Sequence, residues 1–326
     1  MDKILILPGD GIGPAAAESA RAVLGVAADG MEILVSDIGS AAFERTGSLL
    51  PHDTLELADE CKTALCGPVD LGIVDWNPRK DPITNLRVQL DLYAVWRRFR
   101  TLSEDLGMPD IDTALWSCSP VPGKDILETE DLGGVTLTKY VRKASYSRMM
   151  VKAMSMTEIS RRRKVACITS DTFPESSAMF TECFMDVFGT GGFELSAEPI
   201  QRWAAFAARR PSDYETLVCV DLFGKVAGGV LAGLTGGNHL SPSAYIGDEY
   251  FLSVSPAPHE HVEPGYVNPT SMIVSGYMAL YNNGRTREAE AVMEALCAAY
   301  RAGERTPDVG GTLTTDEFTE RVIRRI

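Results

Sequence analysis

Lys225 places an ammonium group inside a run of small and apolar residues, VCVDLFGKVAGGVLAGLTGGNHLSPSAYIGD over residues 218–248. In such a setting a lysine can hold an oxyanion or a carboxylate, and burial would depress its pKa enough to make it a base or a Schiff-base nucleophile. His259 and His261 flank Glu260 and could chelate a metal, although two histidines on a surface loop are ordinarily only solvated. Met149, Met150, Met154 and Met156 read as core filler. The seven cysteines, Cys61, Cys66, Cys118, Cys167, Cys183, Cys219 and Cys297, are odd in number and lack metal-ligand or redox spacing. They read as reduced, mostly buried small hydrophobes.

These groups need a scaffold, and the chain is long enough to build one. Its 326 residues, 45% apolar, can bury a sizeable core as one large or two smaller domains. Residues 3–7 form a short apolar strand, Pro8-Gly9-Asp10-Gly11-Ile12-Gly13-Pro14 turns the chain, and a helical pattern runs over 15–26. Strand, glycine turn and helix open a doubly wound α/β domain. The turn is not the GxGxxG fingerprint, and a tight turn that binds nothing is the alternative reading. Strands are expected at 31–36, 134–141 and 164–170, an apolar segment at 71–74, and helices at 54–63, 142–156, 269–281 and 288–302. No apolar run approaches the roughly 18 residues of a membrane span, and the N-terminus shows no signal-peptide pattern, so the expected location is cytoplasmic. A net charge of -14 argues against a nucleic acid or an anionic membrane as partner.

Several strings taken together resemble the isocitrate and isopropylmalate dehydrogenases, metal-dependent decarboxylating enzymes that oxidise 2-hydroxy acids. They are LPGDGIGP, the segment Leu86-Arg87 to Asp91-Leu92-Tyr93-Ala94 with Arg97, the Leu222-Phe223-Gly224 turn with its Pro242-Ser243-Ala244-Tyr245-Ile246-Gly247 exit, and Thr306-Pro307-Asp308-Val309-Gly310-Gly311. The resemblance implies an α/β two-domain fold with a cleft between the domains. Residues 1–93 and 236–326 would build the cofactor-side domain. Residues 94–235 would build the substrate and dimerisation domain, with a strand arm near 120–145 exchanged in a homodimer. Arg87 and Arg97 match the arginines that clamp substrate carboxylates, a task a planar guanidinium does better than lysine. The alternative is one amphipathic helix whose arginines merely solvate its outer face. Arg98 and Arg100 add charge beyond the family pattern, which would suit an unusually anionic ligand.

The resemblance also locates what is missing. The family's third carboxylate-binding arginine falls nearest Ser117, and its catalytic tyrosine has no equivalent at the expected offset. Tyr140, in the arm, is the displaced candidate acid or simply an arm residue. Thr172 stands where the proton-transfer lysine belongs, and a lone hydroxyl is too weak to replace it. The three metal aspartates fall at Gln201, Lys225 and Gly229, so no magnesium or manganese is expected, because these ions need hard anionic oxygens. In the cofactor loop Ser255-Pro256 replaces a His-Gly pair, but Ile12 in the first turn, Glu260 at the ribose position and Asn268 at the adenine position leave NAD as the candidate cofactor. Two principal readings follow, beside ordinary dehydrogenase activity should the gapless register hide the family's residues. One is a metal-independent enzyme, an oxidoreductase before a non-redox catalyst, acting on a small anionic, carboxylate-bearing metabolite held by Arg87, Arg97, Ser117 and Gln201, with Lys225 in place of the metal. The other is a non-catalytic regulatory or scaffolding homologue that binds a nucleotide or carboxylate, as a homodimer or in a heteromer with an active relative.

Overall fold

A computed structural model describes residues 2–70, 81–121, 124–220, 222–257 and 262–326. The chain opens with β1 (Lys3–Leu7), α1 (Gly13–Ala27), β2 (Glu32–Val35), α2 (Ser40–Thr46), α3 (His52–Cys61), β3 (Thr63–Cys66) and α4 (Pro82–Gln89). Its middle carries β4 (Ala94–Arg100), β5 (Asp112–Cys118), β6 (Ile126–Asp131), β7 (Gly134–Lys139), α5 (Lys143–Ile159), β8 (Lys164–Thr169), α6 (Pro174–Phe188), β9 (Glu194–Pro199), α7 (Ile200–Ala207), β10 (Thr216–Cys219) and α8 (Phe223–Leu234). It closes with β11 (Ser243–Ile246), β12 (Phe251–Val254), α9 (Thr270–Asn282), α10 (Thr286–Arg301) and α11 (Thr315–Ile323).

Ten of these strands join one sheet in the order β2-β1-β3-β12-β11-β4-β5-β10-β8-β9, while β6 and β7 pair only with each other. Pairing is parallel at both flanks and antiparallel at β12-β11, β11-β4 and β4-β5. Parallel strands need both faces covered, and β1, β3 and β10 are accordingly apolar and buried nearly throughout. The largest core cluster includes Trp96 on β4 stacked on Trp116 of β5 at 5.6 Å, and α9, whose residues 270–281 are all buried. A helix apolar on every side belongs in the middle of a fold.

The first turn is set by close packing. A Cβ at Gly9 would stand 2.3 Å from the Pro68 carbonyl oxygen, and one at Gly13 would stand 2.0 Å from that of Pro8. Asp10 ties neighbouring loops together, accepting bonds from the backbone N–H groups of Ser40 (2.8 Å) and Asp70 (2.7 Å).

Three expectations are corrected. The strand after α3 is Thr63–Cys66, which ends the expected 54–63 helix at Cys61; the apolar segment 71–74 lies outside the described residues. The arginine-rich segment 85–100 is no single helix, because the chain leaves α4 through Asp91 at φ +47° and enters β4. Arg98 and Arg100 do not share a cavity with Arg97 and are paired internally. Alternation along β4 sends them to the side opposite Arg97, where Arg98 Nε meets Asp112 at 2.7 Å and Arg100 meets Glu290 and Glu294 at 3.5 and 2.5 Å. As expected, all seven cysteines are free and buried, and Met149, Met150 and Met156 are buried in the core with Met154 against it. No described helix is long and apolar enough to cross a membrane.

Candidate functional site

The centre of the sheet, where β11, β4 and β5 meet the first turn of α8, encloses a cavity of about 230 Å³. Arg87 enters from α4, Val95 and Arg97 from β4, Leu115 and Ser117 from β5, Ser243 and Tyr245 from β11, and Leu222, Gly224 and Lys225 from the α8 turn. Residues spread over more than 150 positions of chain thus share one wall. Val95 and Arg97 on β4, and Leu115 and Ser117 on β5, are i, i+2 pairs, the side chains that one face of a strand presents, and Cys118 adds the end of β5.

Each cation is held differently. Arg87 donates from Nε to Ser119 Oγ at 2.9 Å and from Nη2 to the Pro120 carbonyl at 2.6 Å, and its guanidinium lies 4.7 Å from the Tyr245 ring centroid. Arg97 donates from Nη2 to Asn238 Oδ1 at 3.0 Å and to the Ser241 carbonyl at 3.2 Å, over the Phe99 ring. Its buried Nε has no hydrogen-bond partner among the described residues, and burial pushes its pKa down to about 10 against an opposing effect of Tyr245. Lys225 is exposed to the cavity. Among the described residues, none of the three forms an ion pair with a carboxylate, and no Asp or Glu lines the cavity. In a chain with 45 acidic and 31 basic residues, that is the arrangement of a site whose counter-anion comes from outside.

Glycines make the space. A Cβ at Gly224 would lie 2.6 Å from Ser117 Cβ, and one at Gly228 would lie 2.4 Å from Arg97 Nη1, so these i, i+4 glycines let α8 settle on β4 and β5. Gly229, where the resemblance locates an aspartate, has open space around it.

Beside this cavity lies a smaller one of about 130 Å³, which shares Arg87, Cys118, Ser119 and Pro120 with it. Tyr140 lines the smaller cavity, half stacked under Arg142 at 5.0 Å, and so stands apart from Lys225. Gln201 is exposed on α7 and lines neither cavity of the single chain. Thr172 is also exposed.

The sheet order, the cavity at its centre and the sequence all point the same way. The isocitrate/isopropylmalate dehydrogenase family matches residues 3–113 and 123–322. The chain belongs to that family. As a dehydrogenase-family protein it is 27% identical to the 3-isopropylmalate dehydrogenase of Methanothermobacter thermautotrophicus over 99% of this chain and 98% of that one. It is 28% identical to the isocitrate/homoisocitrate dehydrogenase of Thermus thermophilus, with 99% and 98% covered. Its fold matches a crystal structure of isocitrate dehydrogenase from Methylococcus capsulatus at a TM-score of 0.87, 23% identity and full coverage of this chain. The α/β fold expected from the resemblance is therefore the fold observed. The nine residues between the two matched stretches include Ser117.

Of the residues expected to face a cofactor, Ile12 caps α1 at φ -74° and packs on the core. Asn268 spends its side chain internally: Nδ2 donates to Asp308 Oδ2 at 3.0 Å and to Tyr300 Oη at 3.3 Å, and Oδ1 accepts from the Thr270 N–H at 3.0 Å. Glu260, His259 and His261 lie outside the described residues. Among the described residues no group of three His, Cys, Asp or Glu side chains is gathered that could hold a metal ion. Sequence reasoning missed Leu222, Tyr245 and Asn238 at the cavity and beside Arg97. The Leu222-Phe223-Gly224 turn and the Pro242–Gly247 exit were themselves signals that could have found the first two.

Proposed function

We propose that this protein is a metal-independent enzyme of the family, an oxidoreductase acting on a small carboxylate-bearing metabolite, in which Lys225 does the electrostatic work of the divalent cation. The observation that supports it is the gathering of Arg87, Arg97 and Lys225 on one cavity with no carboxylate among its described residues. Arg87 and Arg97 would hold the anionic end of the substrate, the guanidinium of Arg87 already fixed by Ser119 and Pro120. Lys225 would stand by the oxygen of the reacting carbon, where charge changes most during oxidation. A divalent ion does not fit this donor set, since an ammonium and a glycine offer it no anionic oxygen. NAD, when bound, would supply the hydride acceptor, with Ile12, Glu260 and Asn268 on its side of the cleft. The division at 93/94 and 235/236 gains support from the sheet order, in which β11 and β4 are the neighbours joining the two flanks. The exposed β6–β7 hairpin supports a homodimer.

The test is a melting curve with NAD, NADH or NADP, each with and without magnesium, followed by turnover of candidate 2-hydroxy acids. A nucleotide at a hundred times its Kd adds about 2.7 kcal/mol, a shift of a few degrees for a chain this long. Stabilisation that ignores magnesium, with turnover lost in Lys225→Met, supports the reading. Turnover that needs magnesium overturns it.

One observation favours a non-catalytic reading instead. The Asn268 amide is already committed to Tyr300, Asp308 and Thr270, which leaves little of it for an adenine. Co-purification with an active homologue, and no nucleotide shift, would then be expected.

A further inference from the structure

Two consecutive side chains of one short turn reach different parts of the molecule. The 3-10 turn Asn238–Leu240 follows Gly236 and Gly237, which stand at φ +110° and +126°, angles that glycine adopts freely. Asn238 Oδ1 accepts from Arg97 Nη2 at 3.0 Å, so the turn fixes one cation of the cavity. His239 meets the C-terminal turn instead, where its Nε2 lies 3.5 Å from Asp308 Oδ2. The imidazole rests on Gly237, where a Cβ would stand 2.7 Å from His239 Cε1. The same Asp308 oxygen accepts from Asn268 Nδ2 at 3.0 Å, while Thr306 Oγ1 donates to Asp308 Oδ1 at 2.6 Å. One carboxylate oxygen thus stands between His239 and the Asn268 amide, at bonding distance from the amide and just beyond it from the imidazole.

We propose that His239 is a positioning residue that makes occupancy of the anion cavity and of the nucleotide side depend on each other. The inference rests on the reading of Arg97 as an anion holder and of Asn268 as a nucleotide contact, and adds the link between them. Without ligand, Arg97 holds Asn238 and Asp308 holds Asn268. An anion that draws the Arg97 guanidinium to itself weakens the bond to Asn238, and the turn is then free to swing on Gly236 and Gly237. Asn238 and His239 move together, so the imidazole closes the short gap to Asp308. Asp308, satisfied by the imidazole, releases the Asn268 N–H for a purine nitrogen. The bond between Asn268 and Asp308 is the resting half of a two-position contact. The coupling is positive in both directions, because linkage between two binding sites is reciprocal.

Fluorescence titration of NADH with and without saturating succinate, a dicarboxylate with no hydroxyl to oxidise, measures the link in the intact protein. Succinate should tighten NADH binding about tenfold, within the range usual for coupled sites. In His239→Leu that ratio should fall below about twofold, with NADH affinity in the absence of succinate within about threefold of the parent. His239→Gln, whose amide can still donate to Asp308, should keep most of the effect, which separates loss of the contact from damage to the fold. An NADH Kd that ignores succinate in the parent protein, or a ratio that survives in His239→Leu, overturns the coupling and leaves the nucleotide reading standing. If NADH binds in neither condition, the nucleotide reading fails and the coupling falls with it.

Discussion

Arg97 and Gly228 occupy each other's space: a methyl group on Gly228 would stand 2.4 Å from Arg97 Nη1. The guanidinium is the mobile end of a long side chain, so in Gly228→Ala it should give way before the helix does. We expect stability within about 1 kcal/mol of the parent, the helical gain of alanine offsetting the contact, and anion affinity reduced at least tenfold. Gly224 faces the Cβ of Ser117, which cannot swing aside, and Gly224→Ala should cost about 1–3 kcal/mol. Gly229 has no neighbour within 4 Å and Gly229→Ala should stabilise by about 0.5–1 kcal/mol. Urea unfolding of the three variants, with anion titration, checks the order.

Arg97 is retained at a cost to the folded state. Burial without an acid partner among the described residues depresses its pKa to about 10, well below the ordinary arginine value, so the charged form is disfavoured on folding. That penalty is present throughout the neutral range and is relieved only as pH rises through the folded value. Arg97→Met should therefore raise ligand-free stability by about 1 kcal/mol, after loss of the bonds to Asn238 and Ser241, and abolish anion binding. A less stable variant that still binds would contradict both halves.

Asp112 holds Arg98 and Arg162, both buried, at 2.7 and 2.6 Å. Burial by itself would raise the Asp112 pKa, but the guanidinium groups of Arg98, Arg162 and Arg100 outweigh it and hold the carboxyl below its ordinary 3.8. A depressed carboxylate stabilises the fold above its unfolded value, and that contribution is lost as pH falls through the folded one. Stability should thus have an acid limb below about pH 4. Asp112 is itself half exposed, so Asp112→Asn should cost about 1–3 kcal/mol at pH 7, by weakening the charge-assisted bonds to two buried guanidinium groups, and should flatten that limb. Guanidinium titrations at pH 3 and pH 7 measure it.

The β6–β7 hairpin exposes Leu127, Leu132, Val135 and Leu137 and pairs with no other strand. A lone two-stranded hairpin is marginal in water, which fits an arm completed by a second copy. Leu132→Lys with Leu137→Lys should shift the particle mass in light scattering from dimer to monomer at micromolar concentration. An unchanged mass would remove the arm from the dimer contact.

Much of this protein could be read along the chain. The first strand, turn and helix, the buried cysteines and the methionine-filled α5 follow from composition and period, which are local properties. The family could be read from strings such as LPGDGIGP and the Leu222-Phe223-Gly224 turn, confirmed by the match over most of the chain. The residues Arg87, Arg97, Ser117 and Lys225 were named from position alone, and they do meet at one cavity.

What position could not supply was the company those residues keep. Arg97 and Arg98 are adjacent in sequence, yet strand alternation sends one to the cavity and the other to Asp112. Gln201 was grouped with the site by register and Tyr140 as a displaced candidate off register; α7 leaves the first exposed on the single chain, and the arm carries the second to the adjoining cavity. The backbone angle of Leu222 and the internal bonds of Asn268 have no signature in a string of letters. The sequence by itself determined which chemical groups the chain possesses and which fold it builds, because strand period, turn chemistry and apolar content act over short range. Only the tertiary structure decided which of those groups share a cavity and which are neutralised by partners, because that depends on contacts between residues more than a hundred positions apart, such as Arg87 with Tyr245 and Arg97 with Asn238.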